Sequence, residues 1–375
     1  SVIREMSRVC TLEGGVNLAQ GFPDFPAPQP MKAAACRAIQ ADVNQYAVTW
    51  GAPRLRRAIA ERMAAYNGIS VDPEREVTVC CGATEGMIAS LLAVLDPGDE
   101  VVVFEPFYEN YGPDCILSGA TPRMVRLSPP EWTFDERELR RAFGRRTRAV
   151  VINTPHNPTG KVFSPQELET LAGLCIEHDA FAITDEIYEY ILYDGARHAS
   201  IAALPGMAER TITISGLSKT WSATGWRIGW CVASPQISGA IRKVHDFLTV
   251  GAPAPLQEAA ADALGFGQDY FDGLAREYLE RRDFVVALLR ELGFGVFLPR
   301  GAYYVMTDIA PLTREDDVSF AMRLVRKGGV ATVPGSSFFL DPADGRSLVR
   351  FCFAKRRETL ERAASLLRER LGGDA

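Results

Sequence analysis

One lysine of the chain has neighbours that favour chemistry over simple solvation. Lys219 lies in the segment 218–229, SKTWSATGWRIG, and no carboxylate occurs within seven residues on either side of it. Lysine is normally a solvated surface residue, so these small, aromatic and hydroxyl neighbours predict a pocket. A desolvated lysine close to a second cation, here Arg227, has a lowered pKa and can form a Schiff base with a carbonyl compound.

A second cluster is the turn 81–86, CGATEG, which lies between an apolar strand pattern and a helix pattern. Small residues let backbone N–H groups approach an anion, and a helix N-terminus favours negative charge. The turn therefore has two interpretations: a phosphate site, or a tight turn in which Thr84 caps the helix. It has neither the pattern of a Walker loop nor that of a dinucleotide-binding glycine loop.

Two further polar clusters follow strand patterns. The segment 153–160, NTPHNPTG, is a rigid turn in which His156 is either an acid–base group or a structural residue. Asp185 follows the apolar run 180–183, and a carboxylate at the inner end of a buried strand must be paired or must face a cationic ligand. Because ligands of open α/β sheets bind outside the carboxyl ends of the strands, we expect all four clusters to meet at one site.

Together the clusters match the needs of one cofactor. A lysine can form a Schiff base, and an aspartate can hold a pyridinium nitrogen. Asparagine and tyrosine can hold a phenolic oxygen, while a small turn with serine and arginine can hold a phosphate. This is the set of groups that pyridoxal 5′-phosphate requires. The sequence therefore predicts this cofactor and no metal site.

Beyond these clusters, the chain resembles a known family over nearly its whole length. The matching segments include 17–24 NLAQGFPD, 44–46 NQY, 51–56 GAPRLR, 105–108 EPFY, 299–304 PRGAYY and 349–353 VRFCF. The chain is similar to the fold-type I, class I and II pyridoxal-phosphate aminotransferases. Within them it is most similar to the branch that holds kynurenine aminotransferase, glutamine transaminase K and cysteine-conjugate β-lyase. The segment 218–229 is the most specific part of this resemblance.

The resemblance implies catalytic roles for residues around the cofactor ring. Lys219 would form the Schiff base and move the proton between the substrate α-carbon and the cofactor. Asp185 would keep the pyridine nitrogen protonated, so that the ring acts as an electron sink. Asn157 and Tyr188 would hold the 3-oxygen of the ring, and Phe107 would stack on the ring face.

The resemblance also implies a phosphate site, a partner and a substrate site. The phosphate would be held by Gly82, Ala83, Thr84 and Arg227, helped by Ser215 or Ser218. Tyr46 would reach the phosphate of the neighbouring subunit, so a homodimer is expected. Arg350 would clamp the α-carboxylate of the substrate, assisted by Gly21 and Asn157. Without the resemblance, Arg350 is an outward-facing strand residue.

Some positions depart from the family's pattern. Gly216 stands three positions before the lysine, where many relatives carry serine, so the phosphate hydroxyl must come from a neighbouring residue. The segment 249–255, TVGAPAP, is small and apolar where kynurenine-type enzymes have bulky side chains. Phe22, Trp50 and Phe338 either line a pocket for the substrate side chain or belong to the core.

The elements that position these residues alternate along the chain. Apolar β-branched runs and amphipathic runs predict an α/β fold with a mostly parallel central sheet and helices on both faces. Strands are predicted at 77–80, 101–104, 121–126, 149–153, 180–184, 211–214 and 228–233. Helices are predicted at 84–95 and after the capping box 164–167.

After about residue 235 the pattern changes to that of a smaller α+β domain. Helices are predicted at 238–248, 257–264, 270–292, 318–327 and 356–370, and strands at 295–298, 303–308, 330–333 and 348–353. We expect an N-terminal segment, 1–30, that contributes to the small domain and the active site. A large cofactor-binding domain, 31–250, and a small C-terminal domain, 251–375, complete the predicted organisation.

Composition excludes several classes of protein. The 375 residues carry a net charge of -6, which speaks against nucleic acid or an anionic membrane as a partner. The eight cysteines form no C-x-x-C pair, so zinc and iron–sulfur spacings are missing and a reduced, cytoplasmic protein is expected. The longest apolar stretch, 87–95, is too short to span a bilayer.

The resemblance implies an aminotransferase of the EC 2.6.1 type. It would move the amino group of an L-amino acid to a 2-oxo acid by a ping-pong mechanism through the Schiff base of Lys219. The same cofactor on the same fold also supports β-elimination, cyclisation or oxidase chemistry, and the lysine motif does not separate these reactions. A third interpretation is a ligand-binding regulator, which would usually carry a basic DNA-binding segment, and these residues contain none.

Overall fold

The computed structural model describes residues 2–371. The strands are β1 (Val16–Asn17), β2 (Val77–Cys80), β3 (Glu100–Glu105), β4 (Thr121–Ser128), β5 (Thr133–Phe134), β6 (Thr147–Asn153), β7 (Phe181–Asp185), β8 (Thr211–Gly216), β9 (Gly229–Val232), β10 (Gly295–Val296), β11 (Tyr304–Asp308), β12 (Val330–Ala331), β13 (Val333–Pro334) and β14 (Leu348–Cys352). The helices are α1 (Val2–Leu12), α2 (Gln29–Gln40), α3 (Pro53–Asn67), α4 (Ala83–Val94), α5 (Tyr111–Leu117), α6 (Glu136–Ala142), α7 (Pro165–Glu177), α8 (Pro235–Thr249), α9 (Ala254–Leu264), α10 (Gln268–Glu291), α11 (Asp317–Arg326) and α12 (Arg357–Leu371).

The larger sheet has the strand order β2-β9-β8-β7-β6-β3-β4-β5. Its central strands β8, β7, β6, β3 and β4 run parallel, whereas β9 is antiparallel to both β2 and β8. Strands buried on both faces need apolar side chains almost throughout, as parallel strands usually have. The mostly parallel sheet confirms the predicted fold class.

Helices cover both faces of this sheet. Along β3, Val101 and Val103 pack in the same core cluster as Met87 of α4. Val102, which points to the opposite face, packs in the cluster that holds Leu168 of α7. Alternate residues of one strand thus enter two cores, as the period of two requires. The predicted capping box at the start of α7 is also present in the structure.

The smaller sheet is antiparallel, with the order β10-β11-β14-β13. The predicted strand 330–333 is divided in two, because β12 pairs with β1 near the N-terminus while β13 pairs with β14. The N-terminal segment is thereby joined to the C-terminal part of the chain. Helix α9 packs on α2 and α3, in a cluster shared with β2 of the larger sheet. The domain boundaries at 30 and 250 stay predictions.

None of the helices in residues 2–371 combines the length and the apolar character that crossing a membrane requires.

Candidate active site

A cavity of about 330 Å³ lies where the ends of several strands meet. The register of the parallel pair β6 and β7 places Asn153 beside Asp185 at the carboxyl ends of these strands. The N-terminal segment, the larger sheet and strands β11 and β14 all contribute to the wall. The predicted site residues that line the cavity are Gly21, Ala83, Thr84, Asn157, Asp185, Tyr188, Ser218, Lys219, Arg227 and Arg350.

Lys219 lies in this wall and forms no ion pair with a carboxylate of residues 2–371. Its Nζ donates to the Gly21 carbonyl at 3.3 Å and lies 5.6 Å from the centre of the Tyr188 ring. Burial lowers the pKa of Lys219 to about 8. The charges of Arg227 and Arg350 act in the same direction, whereas that of Asp185 opposes the shift. At pH 7 the neutral, nucleophilic amine is therefore a minor form, roughly a tenth of the total, but far more abundant than in an exposed lysine.

Asp185 ends β7 and is held by two donors. The hydroxyl of Tyr111 donates to Oδ2 at 2.7 Å, and the backbone N–H of Ile187 donates to Oδ1 at 3.2 Å. Burial raises the pKa of Asp185, while both hydrogen bonds and the charge of Lys219 oppose that rise. Tyr111 was not predicted as a site residue, since only the placement of α5 brings its phenol to Asp185.

Arg350 is buried on β14 and keeps part of its hydrogen-bonding capacity free. Its Nη1 donates to Oδ1 of Asn157 at 2.8 Å, and its Nη2 donates to the Ala19 carbonyl at 2.8 Å. The buried Nε has no hydrogen-bond partner in the described chain. The guanidinium carbon lies 4.1 Å from the centre of the Tyr304 ring. The outward-facing interpretation of Arg350 is wrong, because its side chain is buried and lines the cavity.

Two tyrosines close the cavity beside the lysine. The hydroxyls of Tyr188 and Tyr304 lie 3.0 Å apart. Gly21 lies directly against Tyr304, because an added Cβ would overlap the phenol. Burial raises the pKa of Tyr188 well above the usual value, so its phenol stays neutral and keeps a proton to donate. Tyr304 was not predicted, although it stands in the quoted segment 299–304.

The small-residue turn packs against Arg227. Gly82 has φ +83°, and an added Cβ would overlap the Arg227 guanidinium. Helix α4 begins at the next residue, Ala83, so its first N–H groups point toward the cavity end of the turn. Arg227 itself adopts the left-handed conformation with φ 55° and donates to the Thr224 carbonyl at 2.9 Å. This corner joins a helix N-terminus to a cation, which is the chemistry of a phosphate site.

The two candidate phosphate serines occupy different environments. Ser218 lines the cavity, whereas Ser215 donates to Oε1 of Glu189 at 2.8 Å in the buried interior. The prediction for Ser215 is therefore corrected, because its hydroxyl is already used away from the cavity. The glycine at position 216 is explained by steric contact. A Cβ there would approach the carbonyl oxygen of Ile228 to 2.7 Å, where β8 lies against the start of β9.

The ring-stacking prediction is also corrected. Phe107 is buried among core residues, and its backbone N–H donates to the Phe338 carbonyl at 2.8 Å. The next residue, Tyr108, lines the cavity instead. Successive residues of an extended segment face opposite sides, so a shift of one position exchanges cavity and core.

Of the remaining predicted residues, only Phe22 lines the cavity. Tyr46 is 85% exposed on the surface. Phe22 lines the cavity, but Phe338 is fully buried in the core and Trp50 is not among the lining residues. His156 is structural: it contacts the Thr159 hydroxyl at 2.7 Å, and burial lowers its pKa to about 3.

These residues fit pyridoxal phosphate. Lys219 offers a partly neutral amine, Asp185 offers a carboxylate at the inner end of the cavity, and the corner of α4 and Arg227 offers an anion site. The Nε of Arg350 has no hydrogen-bond partner among the described residues and can donate to an anionic group. The missing Cβ of Gly82 lets the turn lie against the Arg227 guanidinium. The chemistry of this donor set is that of the predicted cofactor.

Comparison with known proteins gives a family. The model of the family "Aminotransferase class I and II" matches residues 13–367. The chain is 42% identical to the probable N-succinyldiaminopimelate aminotransferase DapC of Mycobacterium tuberculosis strain H37Rv, over 99% of this chain and 96% of that protein. It is 37% identical to human kynurenine–oxoglutarate transaminase 1, over 94% of this chain and 92% of that protein.

A solved structure from Escherichia coli, described as having a methionine aminotransferase function, superposes with a TM-score of 0.95 at 36% identity, covering 98% of this chain and 96% of that chain. The matches confirm the resemblance, the fold class and the cofactor that the sequence predicted. The chain therefore belongs to the class I and II aminotransferases, a family of pyridoxal-phosphate-dependent enzymes that transfer an amino group between an amino acid and a 2-oxo acid and are typically dimeric.

Proposed function

We propose that this aminotransferase uses Lys219 to hold its cofactor and to move the α-proton of an L-amino acid. The observation that carries the proposal is a buried amine in the cavity wall that forms no ion pair with the described carboxylates, and whose pKa burial lowers to about 8. When bound, pyridoxal phosphate supplies an electron sink that stabilises the carbanion left by the α-proton. Released from the cofactor, the neutral amine of Lys219 can accept that proton and later return it.

Asp185 is proposed to hold the proton at the ring nitrogen of the cofactor. Its position at the carboxyl end of β7, fixed by Tyr111 and the Ile187 N–H, supports this role. The Oδ1 atom of Asn157 already accepts from Arg350, so its amide N–H groups remain to donate to the 3-oxygen. The neutral phenol of Tyr188 is the second donor to that oxygen.

The phosphate is proposed to bind at the corner that begins α4. The first N–H groups of α4, the Ser218 hydroxyl and the Arg227 guanidinium supply donors and positive charge there. Gly82 supports this assignment, because only a residue without Cβ permits the turn to approach Arg227. The proposed set at this corner is Gly82, Ala83, Thr84, Ser218 and Arg227.

Arg350 is proposed to bind the substrate α-carboxylate, with the Gly21 backbone beside it. A planar guanidinium matches a carboxylate through paired hydrogen bonds. An amino acid and a 2-oxo acid share that carboxylate, so one arginine can hold both in turn. This common requirement supports a ping-pong cycle in which donor and acceptor use the same site.

The second subunit is proposed to be another copy of this chain. The exposed apolar side chains of Tyr46, Phe247 and Val250, here called the exposed patch, support a homodimer. The two chain segments that carry them are in contact, since Nε2 of His245 lies 2.8 Å from the Thr49 carbonyl. In the dimer, Tyr46 would reach the phosphate site of the partner. A cytoplasmic location is also proposed, and eight free cysteines support a reducing compartment.

Product stoichiometry tests the proposed reaction. Purified enzyme is given an amino-acid panel that includes methionine, kynurenine and N-succinyldiaminopimelate, with and without 2-oxoglutarate. We expect one new 2-oxo acid for each amino acid formed from the acceptor, and one turnover for each site when the acceptor is omitted. Continued release of ammonia and a 2-oxo acid without an acceptor would show elimination instead and contradict the proposal.

A further inference from the structure

Asp114 is a carboxylate in the cavity wall that the proposed reaction does not use. It lies on α5, one helical turn beyond Tyr111, the residue that holds Asp185. It lines the same cavity as Lys219 and Arg350. The apolar side chains of Ile3 and Met87, from α1 and α4, line the same cavity.

The carboxyl group of Asp114 has no hydrogen-bond or ion-pair partner among the described residues. The residue is 7% exposed, and its buried Oδ2 accepts no hydrogen bond. Within residues 2–371 no arginine, lysine or histidine forms an ion pair with it. The other buried carboxylates of this part of the chain each receive a hydrogen bond, as Asp317 receives one from the Ser336 N–H. Asp114 is therefore an exception in a fold that otherwise satisfies its buried acids.

Leaving this group unpaired is unfavourable for the folded protein. A buried carboxylate without a donor loses its hydration and gains nothing in return. Burial alone raises the pKa of Asp114 to about 7, with no contribution from a neighbouring charge. Perturbed carboxyl groups of this kind concentrate at sites where a ligand or a reaction uses them. A cationic ligand in the cavity would supply the partner that the described residues do not.

We propose that Asp114 receives the ammonium group at the end of a substrate side chain. This inference rests on the proposed function, in which Lys219 and Arg350 hold the α-amino end of the same substrate. Ile3 and Met87 supply apolar contacts for the methylene stem of such a side chain. The enzyme is thereby selective for amino acids with a terminal amine over apolar amino acids of equal length.

The other acidic residues of the cavity wall, Glu109 and Asp185, cannot form an ion pair with Asp114, which leaves Arg4 as the competing explanation. Arg4, on α1, lines the same cavity, is exposed and forms no ion pair with the described residues. If α1 shifts in solution, Arg4 could become the internal partner of Asp114. Tyr111 and Cys115 flank the carboxyl on α5, and burial raises the pKa of both, so they stay neutral.

Matched pairs of substrates test the proposal. L-lysine is compared with L-norleucine, and L-ornithine with L-norvaline, by kcat/KM in the wild type and in Asp114→Asn. For at least one pair we expect the wild type to favour the amine by about tenfold or more, and Asp114→Asn to lower that ratio by about 10- to 100-fold, as loss of a charged hydrogen bond predicts. The control Asp272→Asn changes an exposed carboxylate of α10 and should keep the ratio.

Stability without substrate supplies an independent readout. A carboxyl whose folded pKa is raised destabilises the fold as the pH rises from its unfolded pKa of about 3.9 toward about 7. Asp114→Asn should therefore raise the melting temperature of the holoenzyme at pH 8 by about 2–5 °C, and by less at pH 5. If Arg4 is the partner, the same change lowers the melting temperature.

Three results would overturn the assignment of Asp114. They are a wild type without preference for either amine, a ratio that Asp114→Asn leaves unchanged, or a variant that melts at a lower temperature than the wild type at pH 8. Transfer from norleucine or norvaline without amine preference would reject this inference while leaving the aminotransferase function intact. Loss of transfer with every amino acid tested would reject the function itself.

Discussion

Arg350 and Asp185 show how burial turns ordinary side chains into a binding site. Each carries charge away from water, and each is held by neutral donors or acceptors rather than by an opposite charge. Burying such charged groups is unfavourable in free energy unless a ligand supplies a partner for them. The phosphate, the pyridine nitrogen and the substrate carboxylate supply the missing partners in the proposed complex.

Replacing Arg350 by Gln should cut kcat/KM for amino acids by about 100-fold, because a charge-assisted pair with the carboxylate is lost. Steady-state kinetics with an amino acid and a 2-oxo acid measure the loss, which should affect both half-reactions. The control Arg346→Gln removes an exposed arginine outside the cavity. Equal activity of Arg350→Gln and the wild type would show that another group binds the carboxylate.

The sequence identified several site residues but not the neighbours that hold them in place. Lys219, Asp185 and Asn157 stand in short segments whose composition is unusual for a surface, so the sequence indicated them. Tyr111 and Asp114 could not be found in this way, since a tyrosine or an aspartate on a short helix is ordinary until packing brings it to a cavity. Tyr108 rather than Phe107 lines the cavity because of the direction that the backbone takes after β3. Composition does not predict that direction.

Strand β8 and the turn after it decide which hydroxyl reaches the phosphate corner. The close approach of β9 excludes a side chain at Gly216, and Ser215 turns to Glu189. Ser218 is left at the cavity. The alternation of strands and helices was readable from apolar periodicity, whereas the pairing of β1 with β12 joins segments far apart in the chain and leaves no local pattern.

A matched pair of serine variants tests this division. Ser218→Ala should raise the dissociation constant of pyridoxal phosphate by about 5- to 30-fold, the effect of one lost hydrogen bond to an anion. Ser215→Ala should keep that constant but lower the melting temperature, because the buried Glu189 loses a donor. Fluorescence titration of the cofactor-free protein measures the first quantity. Weaker cofactor binding in Ser215→Ala than in Ser218→Ala would reverse the assignment.

The whole molecule combines a net negative charge with a local cationic site. The net charge is -6, yet Arg4, Lys219, Arg227 and Arg350 line one cavity. Amino acids, 2-oxo acids and a phosphate each contain an anionic group, which these cations attract, although Glu109, Asp114 and Asp185 line the same cavity. Composition alone shows the net negative charge of the chain but not the cluster of cations in the cavity.

The exposed patch of Tyr46, Phe247 and Val250 should form the subunit interface. Phe247 is 91% exposed, and replacing it by Arg places a charge where the partner would bury a ring. We expect Phe247→Arg to raise the dimer dissociation constant by about 100-fold or more in analytical ultracentrifugation. Leu12→Arg, an equally drastic change at an exposed leucine of α1, should leave the dimer intact. A dimer unaffected by Phe247→Arg would place the interface elsewhere.

The central claim is that Lys219 is the residue to which the cofactor attaches. Cofactor-free wild type and Lys219→Ala are mixed with pyridoxal phosphate across a pH range, and the visible absorbance band of the Schiff base is followed. The wild type should form the band at a rate that rises with pH, reaches half its maximum near pH 8, where the pKa of Lys219 lies, and levels off above it. Lys219→Ala should form no band and lose turnover. A band and turnover retained in Lys219→Ala would contradict the account.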